Sequence, residues 1–303
     1  MLQSGKSGVD LALYVLLPVL VILMAVMKVV EARGVLALVA RWMQPLLRRF
    51  GVPGAGAFAI LQLLLVSFAA PLATLAIMER DGTQRRQIAA TLAMVLTMSQ
   101  ANVVFPMVAV GLNLGAILLT SLVGGLAAAA LTYYLFTRPL GEEGGDEHRF
   151  TAGPEPGGTI FSLAMTGGQE ALRVIVGAIP VLILAIFLVN ALKATGGIAV
   201  LERLLSPVLG RVGFPAVAVL PLATKYLAGG TAMMGVTLDL LKAGAITPLE
   251  LNRMAGFLTN PCDLVGVAVL ASAGARCASV VRPAVAGAVA GILLRGVLHL
   301  VLF

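Results

Sequence analysis

The chain has 303 residues, of which 59% are hydrophobic and 12% charged, and its 21 Lys and Arg outnumber its 14 Asp and Glu to give a net charge of +7. Soluble domains carry roughly 25% charged residues, so a soluble enzyme is excluded in favour of a membrane protein. Its basic excess belongs in cytoplasmic loops rather than on nucleic acid.

No leader with a cleavage signal precedes the first apolar run, Leu11 to Met27. That run is expected to remain as a spanning helix, extended by its flanks to about Val30. From Glu31 to Phe50 the texture changes: Arg33, Arg41, Gln44, Arg48 and Arg49 alternate with Val35, Leu38, Val39, Trp42, Leu46 and Leu47. This predicts an amphipathic helix in the interface, with Trp42 at headgroup level. Gly54 to Met78 is apolar but interrupted by Ser67-Phe68-Ala69-Ala70-Pro71, which fits one kinked span or two half-helices returning to the same side. A charged loop, Glu79 to Arg86, leads to a second apolar run, Gln87 to Val110. This run is broken at Ser99-Gln100-Ala101-Asn102 and again carries a proline, Pro106. Ala116 to Phe136 is a clean span, and Arg138 to Gly158 is a polar linker with nothing to bury.

In the second half, Thr159 to Arg173 predicts a short amphipathic lead-in and Val174 to Leu192 a span. Lys193 to Gly213 predicts another interfacial segment. Pro215 to Leu241 contains Leu220-Pro-Leu-Ala-Thr-Lys-Tyr-Leu-Ala-Gly-Gly-Thr-Ala-Met-Met. A lysine at membrane depth is costly, and Gly229-Gly230 interrupts a helix, so the stretch reads as the tip of a re-entrant hairpin. After a polar loop, Lys242 to Glu250, the run Leu251 to Ala273 is broken at Thr259-Asn260-Pro261-Cys262-Asp263, and Ser279 to Phe303 is the last span.

The order of features repeats. A shift of 162 residues places Pro18 on Pro180, Pro45 on Pro207 and Pro53 on Pro215, with Gly34 on Gly196, Arg49 on Arg211 and Gly51 on Gly213. With a one-residue adjustment Ser99 to Asn102 falls on Asn260 to Asp263. The expected fold is therefore an all-α integral membrane protein of two inverted repeats, 1–137 and 159–303, joined by a cytoplasmic linker, 138–158. Each repeat is expected to hold three transmembrane helices, an interfacial amphipathic helix and a re-entrant helical hairpin. Under that topology thirteen Lys and Arg face one side and seven, Arg295 among them, the other. That bias puts the linker in the cytoplasm and both termini outside.

Corresponding interrupted helices in two halves point to a transporter site at the repeat interface. Lys225 is a fixed positive charge for an anionic solute, or a partner for Asp263. The latter comes just after Asn260-Pro261, where the missing proline N–H disrupts the helix. Asn260, Ser99, Gln100 and Asn102 offer amides and a hydroxyl to polar solute atoms. Thr224, Tyr226, Gly229, Gly230 and Thr231 surround the lysine at the tip, and Ser67 plays the matching role in the first tip. For each charged residue a structural role competes: Lys225 can snorkel to the interface and Asp263 can cap a helix. No catalytic motif occurs, neither Gly-x-Ser-x-Gly, His-Glu-x-x-His nor Gly-x-x-x-x-Gly-Lys, so no enzyme is expected.

These strings, with Leu258-Thr-Asn-Pro-Cys-Asp-Leu-Val-Gly, resemble the Gate, or nucleoside-recognition, domain family. Its relatives include concentrative nucleoside transporters, the membrane domain of the bacterial ferrous iron transporter, and spore maturation membrane proteins. The resemblance covers about Leu11 to Phe136 and Val174 to Phe303. It implies inverted repeats, a substrate site where hairpin tips meet broken helices, and a homo-oligomer. Nucleoside transporters of this type carry Gln-Thr-Glu before a proline in the first hairpin. Here Ser67 to Ala70 precede Pro71, so the base- and ribose-binding residues are missing. The expected function is a secondary transporter of a small polar solute, anionic or nucleoside-like, in the bacterial inner membrane. It would bind no cofactor beyond a coupling Na⁺ or H⁺. A divalent-metal permease using Cys262 and Asp263, or a non-transporting scaffold, are the other readings.

Overall fold

The computed structural model describes residues 17–68, 70–140, 158–196 and 216–303, together with 5–6, 9–10, 13–14, 200, 210 and 214. Most of the polar linker and most of the second interfacial segment, Lys193 to Gly213, lie outside the described residues. No strand occurs among the described residues.

The first half begins with α1 (Leu17–Ala32) and α2 (Val35–Arg48), separated at Gly34 by a left-handed φ of 72°, a backbone turn that glycine adopts without a steric penalty. α2 buries Leu36, Ala40 and Leu47 and leaves Trp42 80% exposed, as an interfacial helix requires. Then come α3 (Gly54–Leu65) and α4 (Pro71–Arg80), of 12 and 10 residues. At about 1.5 Å per residue neither arm crosses a hydrocarbon core of about 30 Å. α5 (Arg85–Thr97) and α6 (Ala101–Val108) are the two parts of the broken segment, and α7 (Leu114–Leu131) continues through a π-helical turn, Thr132–Phe136.

The second half opens on α8 (Ile160–Ala194), a single helix of 35 residues. The expected division into a lead-in, to Arg173, and a span, from Val174, is therefore corrected: the helix runs through both without a break. A Cβ on Gly167 would collide with the Met24 carbonyl oxygen, so this glycine admits α1 to close contact. Lys28 of α1 reaches Glu170 at 3.4 Å beside it. α9 (Val219–Ala228) and α10 (Gly230–Lys242) form the second hairpin, turning at Gly229 with φ 90°. α11 (Pro248–Leu258) and α12 (Leu264–Ala271) flank the second break, and a short α13 (Ala275–Ser279) leads to α14 (Val281–Leu302).

The elements of the two halves correspond at the spacing read from the sequence. Gly34 and Gly196, 162 apart, share a φ of 72°, and Gly82 and Gly244, also 162 apart, have φ 69° and 66°. The helix ends meet in two groups. Arg86 stacks on Tyr133, Tyr134 donates to the Arg49 carbonyl, and the Glu79 carboxylate accepts the amides of Arg276 and Cys277. These contacts gather 49–51, 79–86, 133–134 and 276–277 at one end. Asn252 joins Asn113 and Gly111, and His299 joins Asn252, at the other. The segment α5–α6 therefore runs opposite to its counterpart α11–α12, and α7 opposite to α14, the relation an inverted repeat requires. Both ends of the first hairpin lie in the first group.

Among the described residues three stretches, Arg85–Val108, Leu114–Phe136 and Val281–Leu302, are long and apolar enough to cross a membrane. The first is the core of the bundle, with every residue from Ile88 to Thr97 buried. α7 and α14 cover it and present Leu119, Val123, Leu293 and Val297 outward. Lipid gives no hydrophobic drive between helices, so close packing by small residues does the work. A Cβ on Gly291 would lie 2.5 Å from the Gly124 carbonyl oxygen, and one on Gly256 would lie 2.6 Å from the Arg295 carbonyl oxygen.

Candidate functional site

The second break is written locally. Asn260-Pro261 ends α11, because a residue before proline is pushed out of helical conformation and proline offers no N–H. Asp263 then starts α12 as its N-cap, with extended backbone and Oδ1 accepting from the Gly266 amide at 2.8 Å. Asn260 closes the break on itself: its Oδ1 accepts from the Cys262 amide at 3.0 Å and its Nδ2 donates to the Phe257 carbonyl at 2.8 Å.

The other oxygen of Asp263 accepts from Lys225 Nζ. Lys225 sits in the last turn of α9 and is 0% exposed, so it does not snorkel. The second hairpin tip passes directly over this pair, since a Cβ on Gly229 would be 3.6 Å from Asp263 Oδ1. Both roles open to Asp263, helix cap and ion-pair partner, are realised at once, one on each oxygen.

The first break has no helix breaker within it, and its partners are distant in sequence. Arg295, on α14 and 0% exposed, donates through Nη1 to the Thr97 carbonyl. Its Nη2 donates to Ser99 Oγ at 2.7 Å and to Thr259 Oγ1 at 2.9 Å. Ser99 and Thr259 are themselves 2.9 Å apart, and Ser99 also meets Ser121 Oγ at 2.7 Å. Gln100 ties the breaks together: its amide donates to the Thr259 carbonyl at 3.0 Å and its Nε2 to the Asn260 carbonyl at 3.1 Å. Gln100 Nε2 also lies against the second hairpin tip, where a Cβ on Gly230 would collide with it.

Among the sequence candidates, Lys225, Gly229, Gly230, Asn260 and Asp263 thus meet Ser99 and Gln100 in one buried polar cluster. Asn102 lies with the first tip, its Oδ1 accepting from the Phe68 amide at 3.3 Å, beside buried Ser67. Thr224 turns to its own helix, donating to the Leu220 carbonyl at 2.8 Å. Tyr226 is partly exposed at the edge and reaches the Phe257 carbonyl at 3.3 Å. Thr231 is half-buried at the start of α10, with no polar partner assigned. Cys262 and Asp263 are neighbours, but both Asp263 oxygens are engaged. Among the described residues no three His, Cys, Asp or Glu side chains come together.

The residue that sequence reasoning misplaces is Arg295. The charge count puts it on a membrane face, whereas the fold buries it between the two breaks. The available signal is its position, deep within an apolar run that continues to Phe303. His299, one turn on, is likewise buried, bridging Thr120 at 2.8 Å and the Asn252 carbonyl at 2.6 Å. Gln62 of α3 joins Thr74 of α4 and Glu31 of α1 in a third polar group.

Comparison with known proteins now bears on this geometry. Residues 13–143 match the family described as Gate, nucleoside recognition. The matched residues hold the first hairpin and the first break, while the charged pair lies outside them, in the second half. No curated protein matches the chain by sequence. Among solved structures, CNTnw in an inward-facing substrate-bound state matches with a TM-score of 0.70 at 19% identity, over 98% of this chain and 80% of that one. A double variant of CNTnw in an outward-facing state gives a TM-score of 0.71 at 17% identity, over 98% and 81%. Another variant, in an intermediate state, gives 0.69 at 18% identity, over 94% and 73%. The chain therefore shares the fold of CNTnw along nearly its whole length, and it is an integral membrane protein.

Proposed function

We propose that this protein is a secondary transporter that moves a small polar solute by alternating access, not an enzyme. The observation that carries the reading is the convergence of two helix breaks and a hairpin tip on one buried polar cluster. Carriers place their sites at such interfaces between repeats. The fold supports it, because CNTnw shares that fold and is seen in outward-facing, intermediate and inward-facing substrate-bound states. The solute is anionic or nucleoside-like. Two buried cations, Lys225 and Arg295, stand against one buried carboxylate in the cluster, which favours a negatively charged group. The match of residues 13–143 to the Gate, nucleoside recognition, family favours a nucleoside-like body, although the first tip lacks Gln-Thr-Glu. With Arg295 removed from the face count, the bias in basic residues is thirteen to six. It supports a bacterial inner-membrane protein with the linker cytoplasmic and both termini outside. The two repeats span 1–137 and 159–303, and the working unit is a homo-oligomer.

A thermal-shift screen over nucleosides, nucleobases, organic acids and amino acids identifies the solute, since a ligand bound to the native state raises the melting temperature. Uptake into proteoliposomes then tests the site. Lys225→Ala and Asp263→Asn each reduce uptake at least about tenfold, the effect of losing roughly 1.4 kcal/mol of solute binding. Unchanged uptake in both variants refutes the site.

A further inference from the structure

A carrier offers a monovalent metal ion the unwound carbonyls and carboxylates of its broken helices. Here seven of those oxygens and the Asp263 carboxylate already hold protein donors. In the first break the Thr97 carbonyl and Ser99 Oγ receive Arg295, and the Gln100 carbonyl receives the amides of Val103 and Val104. In the second, the Phe257 carbonyl receives Asn260 and Tyr226. The Thr259 and Asn260 carbonyls receive Gln100, and the Pro261 carbonyl receives the Asp263 amide. Asp263 divides its oxygens between Lys225 and Gly266. Each break thus has a side-chain cation at its oxygens, a guanidinium in one and an ammonium in the other.

The repeat adds an independent observation. At the 162-residue spacing Lys225 falls on Leu63, and with the one-residue adjustment of the broken segment Asp263 falls on Asn102. The charged pair is present as a unit in one half and absent as a unit from the other, and Asn102 still engages its own hairpin tip. The polar and charged groups around the pair are Tyr226 on α9, Cys262 in the break and Arg295 on α14. A guanidinium gives up its proton far less readily than an ammonium. In this cluster of two cations and one carboxylate, a proton can leave without creating net negative charge inside the membrane.

We propose, on the carrier reading above, that the protein uses no alkali-metal ion and that the proton shared by Lys225 and Asp263 is the ion it exchanges. In the unloading step the Nζ–H bond breaks, its electron pair stays on nitrogen and the proton passes to water. A proton taken from water on the other side restores the ammonium. The resident guanidinium and ammonium hold the breaks together in place of a bound metal ion.

The test needs no solute, so it fails separately from the uptake assay. Amide hydrogen exchange is followed over 224–230 and 259–266 in purified protein, corrected for the intrinsic pH dependence of exchange. The buffer contains sodium, potassium or choline chloride. Protection of both segments changes at least about threefold between about pH 5 and pH 9, a local opening response, and is the same in all three salts. In Lys225→Leu with Asp263→Asn, which copies the first half's Leu63 and Asn102 and so preserves a packing this fold accepts, the pH response is lost. Slower exchange in sodium than in choline overturns the proposal. So does a native protein with no pH response, or a response that survives in the double variant.

Discussion

Replacing Arg295 with Met tests the claim that one side chain holds the two breaks together. The stem is retained: Arg295 Cγ fills the space that a Cβ on Gly124 would occupy, and the unbranched thioether takes the same path. Three hydrogen bonds are removed, but they are not equal. Ser99 and Thr259 keep each other at 2.9 Å, and each keeps a further partner in Ser121 or the Ala255 carbonyl. Only the Thr97 carbonyl, at the end of α5, is left without its side-chain donor. An orphaned buried acceptor costs about 1–3 kcal/mol, and removing a buried cation gives part of that back. The net loss is about 1–2 kcal/mol, a fall in melting temperature of roughly 2–8 °C. Arg295→Lys keeps the buried charge but replaces the planar fork by a single ammonium that cannot span both breaks. It is therefore less stable than Arg295→Met. Melting in detergent, with hydrogen exchange over 97–100 and 259–263, reads both effects. If Arg295→Met melts with the native protein and leaves both breaks equally protected, or if Lys is better tolerated than Met, the clamp is wrong.

The same packing makes two further outcomes testable. Lys225→Leu alone strands the Asp263 carboxylate and costs about 3–5 kcal/mol, whereas the double variant Lys225→Leu with Asp263→Asn costs less than half as much, because Asn can still cap the Gly266 amide; additive losses in a denaturation cycle would refute the pairing. Gly256→Ala drives a Cβ to 2.6 Å from the Arg295 carbonyl oxygen and 2.9 Å from the Gly296 nitrogen. Backbone cannot yield there, so the variant loses about 1–3 kcal/mol, while Gly168→Ala, 3.7 Å from Val21, melts at or above the native temperature.

The second break illustrates how much local sequence can specify. Pro261 lacks an N–H, Asn260 precedes it and Asp263 caps the next helix, so these neighbouring residues settle where α11 stops and α12 starts. Gly229, with φ 90°, places the second hairpin tip in the same way. The first break is different. Ser99-Gln100 would pass for ordinary helix, and the carbonyl freed at Thr97 is held by a side chain 198 residues away. The polar pattern Ser99 to Asn102 marks the place because polar groups at membrane depth need partners, but it names none of them. Likewise Thr159 to Arg173 reads as a separate lead-in but belongs to one helix with the span that follows, and Gly167 within it proves to be a site where α1 approaches α8.

Composition, apolar run length and the 162-residue spacing therefore determined by themselves that this is a helical membrane protein of two similar halves with interrupted segments. These are properties of the backbone and of local hydrophobicity, which each stretch carries alone. Only the tertiary structure decided that the breaks face each other, that Asp263 serves a cap and an ion pair together, and that Arg295 belongs to the centre. A buried charge takes whatever partners the fold brings within hydrogen-bond distance, and antiparallel halves bring together residues that lie far apart in the chain.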